Sequence, residues 1–365
     1  MKILRNYILE EFLTNFITIL IVLTFMLLLG NLFSKMFDLV INRGVDILRI
    51  LQIFVYLTPF IFVFTIPMAA SVAALLTFGR MSADSELVAL RASGVSLARI
   101  VRPILWVAVI LSLFSFYLND QIASRCHFMM RRVSSEISLR SPTALLEEGV
   151  FIKSFQDIVL FIHRIEENKL KQIRIYQPQK NGPTRTIIAE EGELIPLPEQ
   201  NVIKLKLSNG ASDEPDANDP GRFYKLRFGT YYLPLDISNL KFREPMEKKR
   251  KELTLRELWT QFNRLKNEGF IDPYALTEIH KKIAMGFAAF CLVFISIPLA
   301  IRVHRSEKTV GFAIALILGT FYWALLIGAS SAAQTRALPP IVALHFPNLA
   351  FFLTGLWLHK RVLGR

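Results

Sequence analysis

Residues 50–79 read ILQIFVYLTPFIFVFTIPMAASVAALLTFG, a run of thirty residues without a charged side chain. As a helix this run would reach ~45 Å, whereas the hydrocarbon core of a bilayer is about 30 Å thick. It therefore predicts a membrane helix that tilts, projects beyond the bilayer, or kinks at Pro59 or Pro67.

Five further apolar stretches are long enough to cross a membrane. They are Phe12–Phe33, Pro103–Asn119, Ile283–Ile301, Thr309 to about Thr335, and Leu338–Leu358. The spans form two blocks, with polar and charged sequence between them. We therefore predict a first transmembrane half of three helices over residues 1–119, a soluble β domain with flanking helices over residues 120–282, and a second transmembrane half of three helices over residues 283–365.

Charge in the short loops predicts the orientation. If the N-terminus is cytoplasmic, twelve basic residues lie on the cytoplasmic side of the six spans and four on the other side, Lys35, Arg43, Arg49 and Arg336. Basic residues concentrate in cytoplasmic loops. Both termini are then expected in the cytoplasm and the large domain outside, in the periplasm of a bacterium with two membranes. The net charge of +13 fits this arrangement better than nucleic-acid binding, because no nucleic-acid motif accompanies it.

The soluble block has the pattern of an all-β domain. Short runs rich in Val, Ile, Phe and Tyr alternate with turn residues such as Asn181-Gly182-Pro183 and Asn209-Gly210. The runs are Val150–Phe155, Ile158–Ile165, Lys171–Gln177, Arg185–Ala189, Val202–Leu207 and Phe223–Pro234. Strands this short and evenly spaced predict a sandwich or jelly roll, with 210–221 as a mobile loop.

One segment of the soluble block departs from the β pattern. Leu255, Leu258, Trp259, Phe262 and Leu265 recur at helical spacing. They predict an amphipathic helix over Leu253–Lys266. It could lie in the membrane interface or pack against the β domain, and the sequence leaves both open.

Several chemistries are excluded or unsupported. The sequence has no GxxxxGK[ST] phosphate loop and no HExxH motif, its six histidines are scattered, and Cys126 and Cys291 lie in different blocks. We predict no catalytic residue, no metal site and no cofactor. Ser93-Gly94 has no histidine base at readable spacing, which argues against an intramembrane protease.

The charged segment 80–102 joins the second and third spans on the predicted cytoplasmic side. Ser82 or Asp84 could cap a short helix of about residues 82–94, Glu86 falls in its first turn, and Gly94 could end it. Its apolar ridge and charged edge are typical of an interfacial helix, or of a plug that docks into another protein and transmits motion.

These residues resemble a known family. Pro67-Met68-Ala69, Ser85-Glu86-Leu87-Val88, Ala92-Ser93-Gly94, Arg5 with Tyr7, Ile297-Pro298-Leu299-Ala300 and the closing Trp357-Leu358-x-Lys360-Arg361 are similar to the LptF/LptG permeases of the lipopolysaccharide exporter. The resemblance covers nearly the whole chain. It implies an inner-membrane transport subunit with six transmembrane helices and an inserted periplasmic jelly-roll-like domain.

The resemblance also implies partners and site residues. A second LptF/LptG-like permease, a cytoplasmic ATPase dimer, periplasmic β-jelly-roll bridge proteins and lipopolysaccharide are the expected partners, with ATP hydrolysis on the separate ATPase. The residues expected to couple to the ATPase are Asp84, Glu86, Leu87, Leu90 and Arg91. Those expected to contact lipid are Lys35, Arg131, Arg132, Phe151, Phe161 and Ile175.

Two alternatives stay open at this point. The first is a permease of another lipid or lipoprotein ABC exporter, although such permeases commonly place the large domain after the first span. The second is a membrane scaffold that transports nothing. Co-purification with an ATPase would separate a scaffold from a transporter.

Overall fold

A computed structural model describes residues 2–41, 46–140, 149–155, 158–166, 169–179, 182–197, 202–215, 223–236, 247–269, 272–302 and 308–363. The chain divides into two compact units. The helical unit comprises Met1–Gly30, Val55–Phe128 and Lys248–Arg365, and the β unit comprises Asn31–Phe54 and Met129–Glu247.

Helices account for most of the described residues outside the sheet. They are α1 (Lys2–Ile41), α2 (Ile47–Ala83), α3 (Glu86–Ala92), α4 (Leu97–Tyr117), α5 (Ser124–Arg140), α6 (Leu255–Asn267), α7 (Pro273–Arg302), α8 (Lys308–Gln334) and α9 (Pro340–Leu363). Six helical stretches among them are long and apolar enough to cross a membrane, as predicted. Helix α2 continues through both Pro59 and Pro67.

Small residues let the central helices of the helical unit approach closely. Ala69, Ala70, Ala73 and Ala74 of α2 are fully buried. Small side chains at such contacts bring backbones together and increase van der Waals packing, which replaces the hydrophobic effect as the driving force inside a membrane. One buried polar contact, between the Ser71 and Ser296 hydroxyls at 2.7 Å, joins α2 to α7.

A buried ion pair fixes the start of α6 within the helical unit. Between α4 and α5 the backbone makes a π-helical turn over Leu118–Ala123, and its Asp120 lies 3.4 Å from the ammonium of Lys282 on α7. Asp120 also accepts a hydrogen bond from the backbone N–H of Leu255 at 2.6 Å. Because Lys282 also donates to the Leu253 carbonyl at 2.7 Å, one polar cluster joins α7, the π turn and the first residues of α6.

Helix α6 is amphipathic, as predicted, and its apolar side faces the helical unit. Leu258 and Phe262 are buried, while Trp259 is exposed, and the helix packs against α7. Thr254 caps its N-terminus and forms a reciprocal capping box with Glu257. The contact of α6 with α7 lies within the helical unit.

The β unit contains one six-stranded antiparallel sheet. Its strands are β1 (Phe151–Phe155), β2 (Ile158–Glu166), β3 (Lys169–Gln179), β4 (Gly182–Leu197), β5 (Val202–Pro215) and β6 (Phe223–Asp236). All six predicted runs are strands, and they pair in sequential order from β1 to β6. Leu160, Ile162, Ile173, Ile175, Ile187, Leu205 and Leu207 form a core with no exposed surface.

Two sequence expectations about the sheet were wrong. Asn209-Gly210 is not a turn, because β5 runs through it to Pro215, so part of the expected mobile loop is strand. Asn209 instead adopts a left-handed conformation inside the strand, with φ of 53°. Gly210 is required there because a Cβ would lie 2.3 Å from the Phe228 ring and 2.6 Å from the Ile188 carbonyl oxygen.

Candidate functional site

Arg80 gathers three carboxylates at the end of α2, where the short helix α3 begins. Its guanidinium donates two hydrogen bonds of 2.5 Å to Glu11 on α1. The same group donates to Glu86 at 2.8 Å and to Asp84 at 3.1 Å. We call Tyr7, Glu11, Arg80, Asp84 and Glu86 the Arg80 cluster. Bidentate pairing of guanidinium with carboxylate gives a geometrically specific contact, so this cluster joins α1, α2 and α3.

Tyr7 completes the Arg80 cluster from α1. Its hydroxyl accepts a 2.5 Å hydrogen bond from Arg80 and donates to the Glu86 carboxylate at 3.1 Å. Glu86 is therefore held inside the protein by two partners, although its side chain remains 29% exposed. The cluster holds three carboxylates against one guanidinium, so it carries an excess of negative charge.

Helix α3 is shorter than expected, and neither Ser82 nor Asp84 caps it. Helix α2 continues to Ala83, and Ser85, in a left-handed conformation, precedes α3 without a side-chain cap. Ser82 instead donates to the Ile301 carbonyl at 3.2 Å. Gly94, with φ of 82°, ends the helix region as predicted, because glycine adopts that conformation without strain.

The expected coupling residues divide between two sides of α3. Leu87 is buried and Leu90 packs against the same core, so both anchor α3 to the helical unit. Asp84 and Arg91 are exposed. Val88, which is 65% exposed, is the large apolar side chain that this helix exposes.

Sequence reasoning missed Arg80 and Glu11 as site residues. A basic residue at the end of a membrane span matches the positive-inside pattern so well that nothing marked Arg80 as special. The available signal was the pair Glu10-Glu11 beside the first span, because a carboxylate there usually has a partner.

The expected lipid-contact residues near the membrane are only partly described. Lys35 belongs to α1, but its side chain lies outside the described residues. Arg131 on α5 donates to the Glu247 carbonyl at 2.6 Å, and Arg132 is exposed. Both arginines belong to the β unit.

The three expected lipid contacts in the sheet lie on two different faces. Phe151 and Phe161 are cross-strand neighbours with ring centroids 4.9 Å apart, and Phe151 is 58% exposed. Phe161 pairs with Arg174, whereas Ile175 is the next residue along β3. Successive side chains of a strand point to opposite faces. Ile175 is accordingly sealed in the core, with no exposed surface.

A cavity of about 880 Å³ lies on the Phe161 face of the sheet. Phe161, Ile188 and Phe228 give it apolar walls. The charged side chains in its lining are of both signs: Arg174, Lys225, Arg227, Glu190 and Asp213. An open cavity with apolar walls and charged groups of both signs suits a ligand that is partly apolar and partly polar. No described group of three or more His, Cys, Asp or Glu side chains is placed to hold a metal ion.

Comparison with known proteins identifies relatives over most of the chain. The family described as "Lipopolysaccharide export system permease LptF/LptG" matches residues 6–361. An uncharacterized protein of Rickettsia prowazekii is 23% identical over 99% of this chain and 100% of its own length. The lipopolysaccharide export system permease protein LptG of Escherichia coli K12 is 22% identical over 81% of each chain.

Proposed function

The chain belongs to the LptF/LptG family of lipopolysaccharide export permeases, and we propose that it is one transmembrane subunit of a lipopolysaccharide-exporting ABC transporter in the bacterial inner membrane. Both termini are then cytoplasmic and the β unit is periplasmic, an orientation supported by the excess of basic residues in the loops on the N-terminal side. The β unit is proposed to be jelly-roll-like and to pass lipid to a periplasmic β-jelly-roll bridge.

We propose that a separate cytoplasmic ATPase dimer moves this subunit through α3, alongside a second LptF/LptG-like permease. The observation that carries this proposal is the Arg80 cluster. Arg80 binds Glu11 and Glu86 with the same guanidinium, so a displacement of α3 would act on α1 and α2 together. The exposed Val88 and Arg91 and the excess carboxylates offer a docking surface for the ATPase. The sequence contains no phosphate loop of its own.

Lipopolysaccharide needs a transporter because its acyl chains cannot cross an aqueous space without an apolar enclosure. Exposing them costs about 0.8 kcal/mol per CH₂, which amounts to tens of kcal/mol for several long chains. The chains must therefore move between apolar enclosures. We propose that the Phe161 face of the sheet receives them after the helical unit, because its cavity is open whereas the Ile175 face is sealed.

Substituting Arg80→Met in the assembled transporter tests the coupling proposal. Met keeps much of the apolar stem but leaves Glu11, Asp84 and Glu86 without their shared cation, so α3 should loosen from α1. We expect ATP hydrolysis to continue while lipopolysaccharide release falls at least tenfold, since ~1.4 kcal/mol of lost coupling corresponds to a factor of ten.

The matched control for Arg80→Met is Arg264→Met. Arg264 lies on α6, is 82% exposed and pairs with Glu268 at 3.4 Å. It belongs neither to the Arg80 cluster nor to the proposed docking surface, so its replacement should leave the α1–α3 connection intact. Mass spectrometry of lipid bound to the purified complex identifies the cargo. Export by Arg80→Met at the wild-type rate would refute the coupling role, and a complex that carries no lipopolysaccharide would refute the transport function.

A further inference from the structure

A small pocket lies between the first turns of α1 and α4, and no residue of the Arg80 cluster lines it. Its volume is about 290 Å³. Lys2 and Arg5 line it from α1, and Arg99 and Arg102 line it from α4. We call it the basic pocket.

The charges of the basic pocket lack a counter-ion within the described chain. No carboxylate lines it, and none of its four cations forms an ion pair among the described residues; Arg5 donates only to the amide oxygen of Asn6, at 3.3 Å. Arg80, by contrast, is surrounded by carboxylates. All four cations are exposed, so solvent screens part of their mutual repulsion. Binding of an anion from outside the chain relieves the remainder.

The remaining lining of the basic pocket is apolar. Ile8 and Ile100 form its buried floor, and Pro103 and Trp106 form a wall toward the centre of α4. Trp106 is 65% exposed and belongs to a helix long and apolar enough to span a membrane. Tryptophan is enriched at headgroup depth because its ring is apolar and its N–H is polar.

We propose that the basic pocket binds an anionic phospholipid from the leaflet on the N-terminal side of the membrane. The phosphate diester lies among Arg5, Arg99 and Arg102, and the first acyl carbons lie against Pro103 and Trp106. Pockets for whole small molecules are about 300–1,000 Å³, so a pocket of about 290 Å³ is of a size for a phosphoglycerol headgroup while the acyl chains remain in the bilayer. Basic pockets between membrane helices on the cytoplasmic side recognise such headgroups.

The position of the basic pocket links the lipid to α3. Val95 lines the pocket, and its N–H donates to the Leu90 carbonyl at the end of α3 at 3.0 Å. A lipid bound there contacts the segment that connects α3 to α4. This inference is independent of the cargo and of the proposed ATPase contact.

Native mass spectrometry of the full-length chain in detergent tests the proposal. Dioctanoyl phosphatidylglycerol is titrated against dioctanoyl phosphatidylcholine, glycerophosphoglycerol and inorganic phosphate. We expect the anionic lipid to bind most tightly. Arg5→Gln combined with Arg102→Gln should weaken its binding about 25-fold, from about fivefold for each cation removed near the membrane surface.

Two further variants keep this test decisive. Lys360→Gln with Arg361→Gln removes the same charge at the other end of the chain and should leave the affinity within about twofold, less than the change expected for a single pocket cation. Trp106→Ala keeps all four cations and should weaken the dioctanoyl lipid while leaving glycerophosphoglycerol binding unchanged. Unchanged thermal unfolding establishes that each variant is folded.

The outcomes that overturn the proposal are distinct. If phosphatidylcholine binds as tightly as phosphatidylglycerol, or if the Arg5/Arg102 variant binds phosphatidylglycerol as tightly as the wild type, the four cations do not form a lipid site. They are then ordinary juxtamembrane charges. Inorganic phosphate binding as tightly as the lipid would assign the pocket to a free anion. If the Arg5/Arg102 variant keeps its phosphatidylglycerol binding but no longer co-purifies with the ATPase when the whole transporter is isolated, the pocket is a contact for a protein partner.

Discussion

At the scale of single residues, we propose that the carboxylate of Glu86 serves two contacts, one inside the chain and one with the ATPase. Its carboxylate accepts from Arg80 at 2.8 Å and from Tyr7 at 3.1 Å, yet part of the side chain is exposed. The internal contacts fix the position of the carboxylate, and in our proposal its exposed part contacts a basic group on the ATPase.

Glu86→Lys should therefore abolish lipopolysaccharide export while the protein still inserts into the membrane. The new ammonium would lie against Arg80 and would repel a basic surface on the ATPase. Juxtaposed like charges cost several kcal/mol, so ATPase association should weaken by more than about tenfold. Quantitative co-purification and lipid release measure both effects.

Asp84→Lys is the matched comparison for Glu86→Lys. Asp84 is 53% exposed, and its contact with Arg80 is longer, at 3.1 Å, so the same charge reversal should cost less. Normal export by Glu86→Lys with the ATPase still bound would contradict the assignment of Glu86 to coupling.

A second residue-scale prediction concerns the cargo. Lys35 belongs to the outward part of α1 in the proposed orientation, where a cation could hold the phosphates of a lipid headgroup. Lys35→Asp should lower photo-crosslinking of lipopolysaccharide at this site at least fivefold, because each cation near a membrane surface contributes about 1 kcal/mol. ATP hydrolysis by the detergent-solubilised complex should change little, and Lys35→Gln separates loss of the charge from its reversal. Unaltered crosslinking would make Lys35 an ordinary juxtamembrane lysine.

At the scale of elements, polar contacts on both sides of Thr254 fix the residue at which α6 begins. Asp120 holds the N–H of Leu255, and the Glu257 carboxylate accepts from the Thr254 N–H at 2.8 Å and from Lys248 at 2.6 Å. Partial burial opposes ionisation of Glu257, but the bonds from Lys248 and Thr254 outweigh it and lower the pKa of this carboxyl below its ordinary value of 4.5.

This lowered pKa gives α6 a defined pH dependence. A carboxyl whose pKa is lower in the folded helix stabilises the helix when ionised, so the stabilisation is complete above pH 4.5 and is lost as the pH falls through the folded-state pKa. Hydrogen-exchange protection of α6, corrected for intrinsic rates, should therefore fall at acid pH.

Two variants at the α6 capping box check this dependence. Glu257→Gln should flatten the pH response, and Thr254→Ala should lower protection by about 1 kcal/mol at neutral pH. The same acid response in Glu257→Gln as in the wild type would place the titrating group elsewhere.

At the scale of the whole molecule, the two faces of the sheet make the route of the lipid testable. Photo-crosslinkers at positions 161 and 175 occupy opposite faces, one beside an open cavity and one inside a sealed core. During ATP-driven transport, position 161 should capture lipid at least tenfold more than position 175, since a preference of about 1.4 kcal/mol suffices for that ratio.

A photo-crosslinker at position 151 lies on the edge strand β1, beside Phe161. If a periplasmic β-protein pairs with this sheet edge, position 151 should capture that protein, whereas position 161 should capture lipid. Crosslinking without ATP provides the background. Capture at 175 and silence at 161 would mean that the sealed core opens during transport and that the Phe161 face is not the route.

The sequence by itself determined the parts of this protein that depend on local periodicity and solvation. Six apolar stretches predicted six membrane helices, because unbonded backbone groups are excluded from hydrocarbon. Alternating Val, Ile and Phe predicted the six strands, and the Leu255 to Leu265 pattern predicted α6. The motifs around Glu86 indicated the family because they lie close together in the chain.

Only the tertiary structure decided which distant side chains meet. Arg80 and Glu11 are 69 residues apart, and no local pattern reports such a pair. The basic pocket likewise joins residues from the starts of α1 and α4. Asn209 and Gly210 have the composition of a turn, yet the Phe228 ring and the Ile188 carbonyl lie so close to Gly210 that only glycine fits within the strand. Contacts between distant segments depend on how the helices and strands pack, and packing overrides local preference wherever the two disagree.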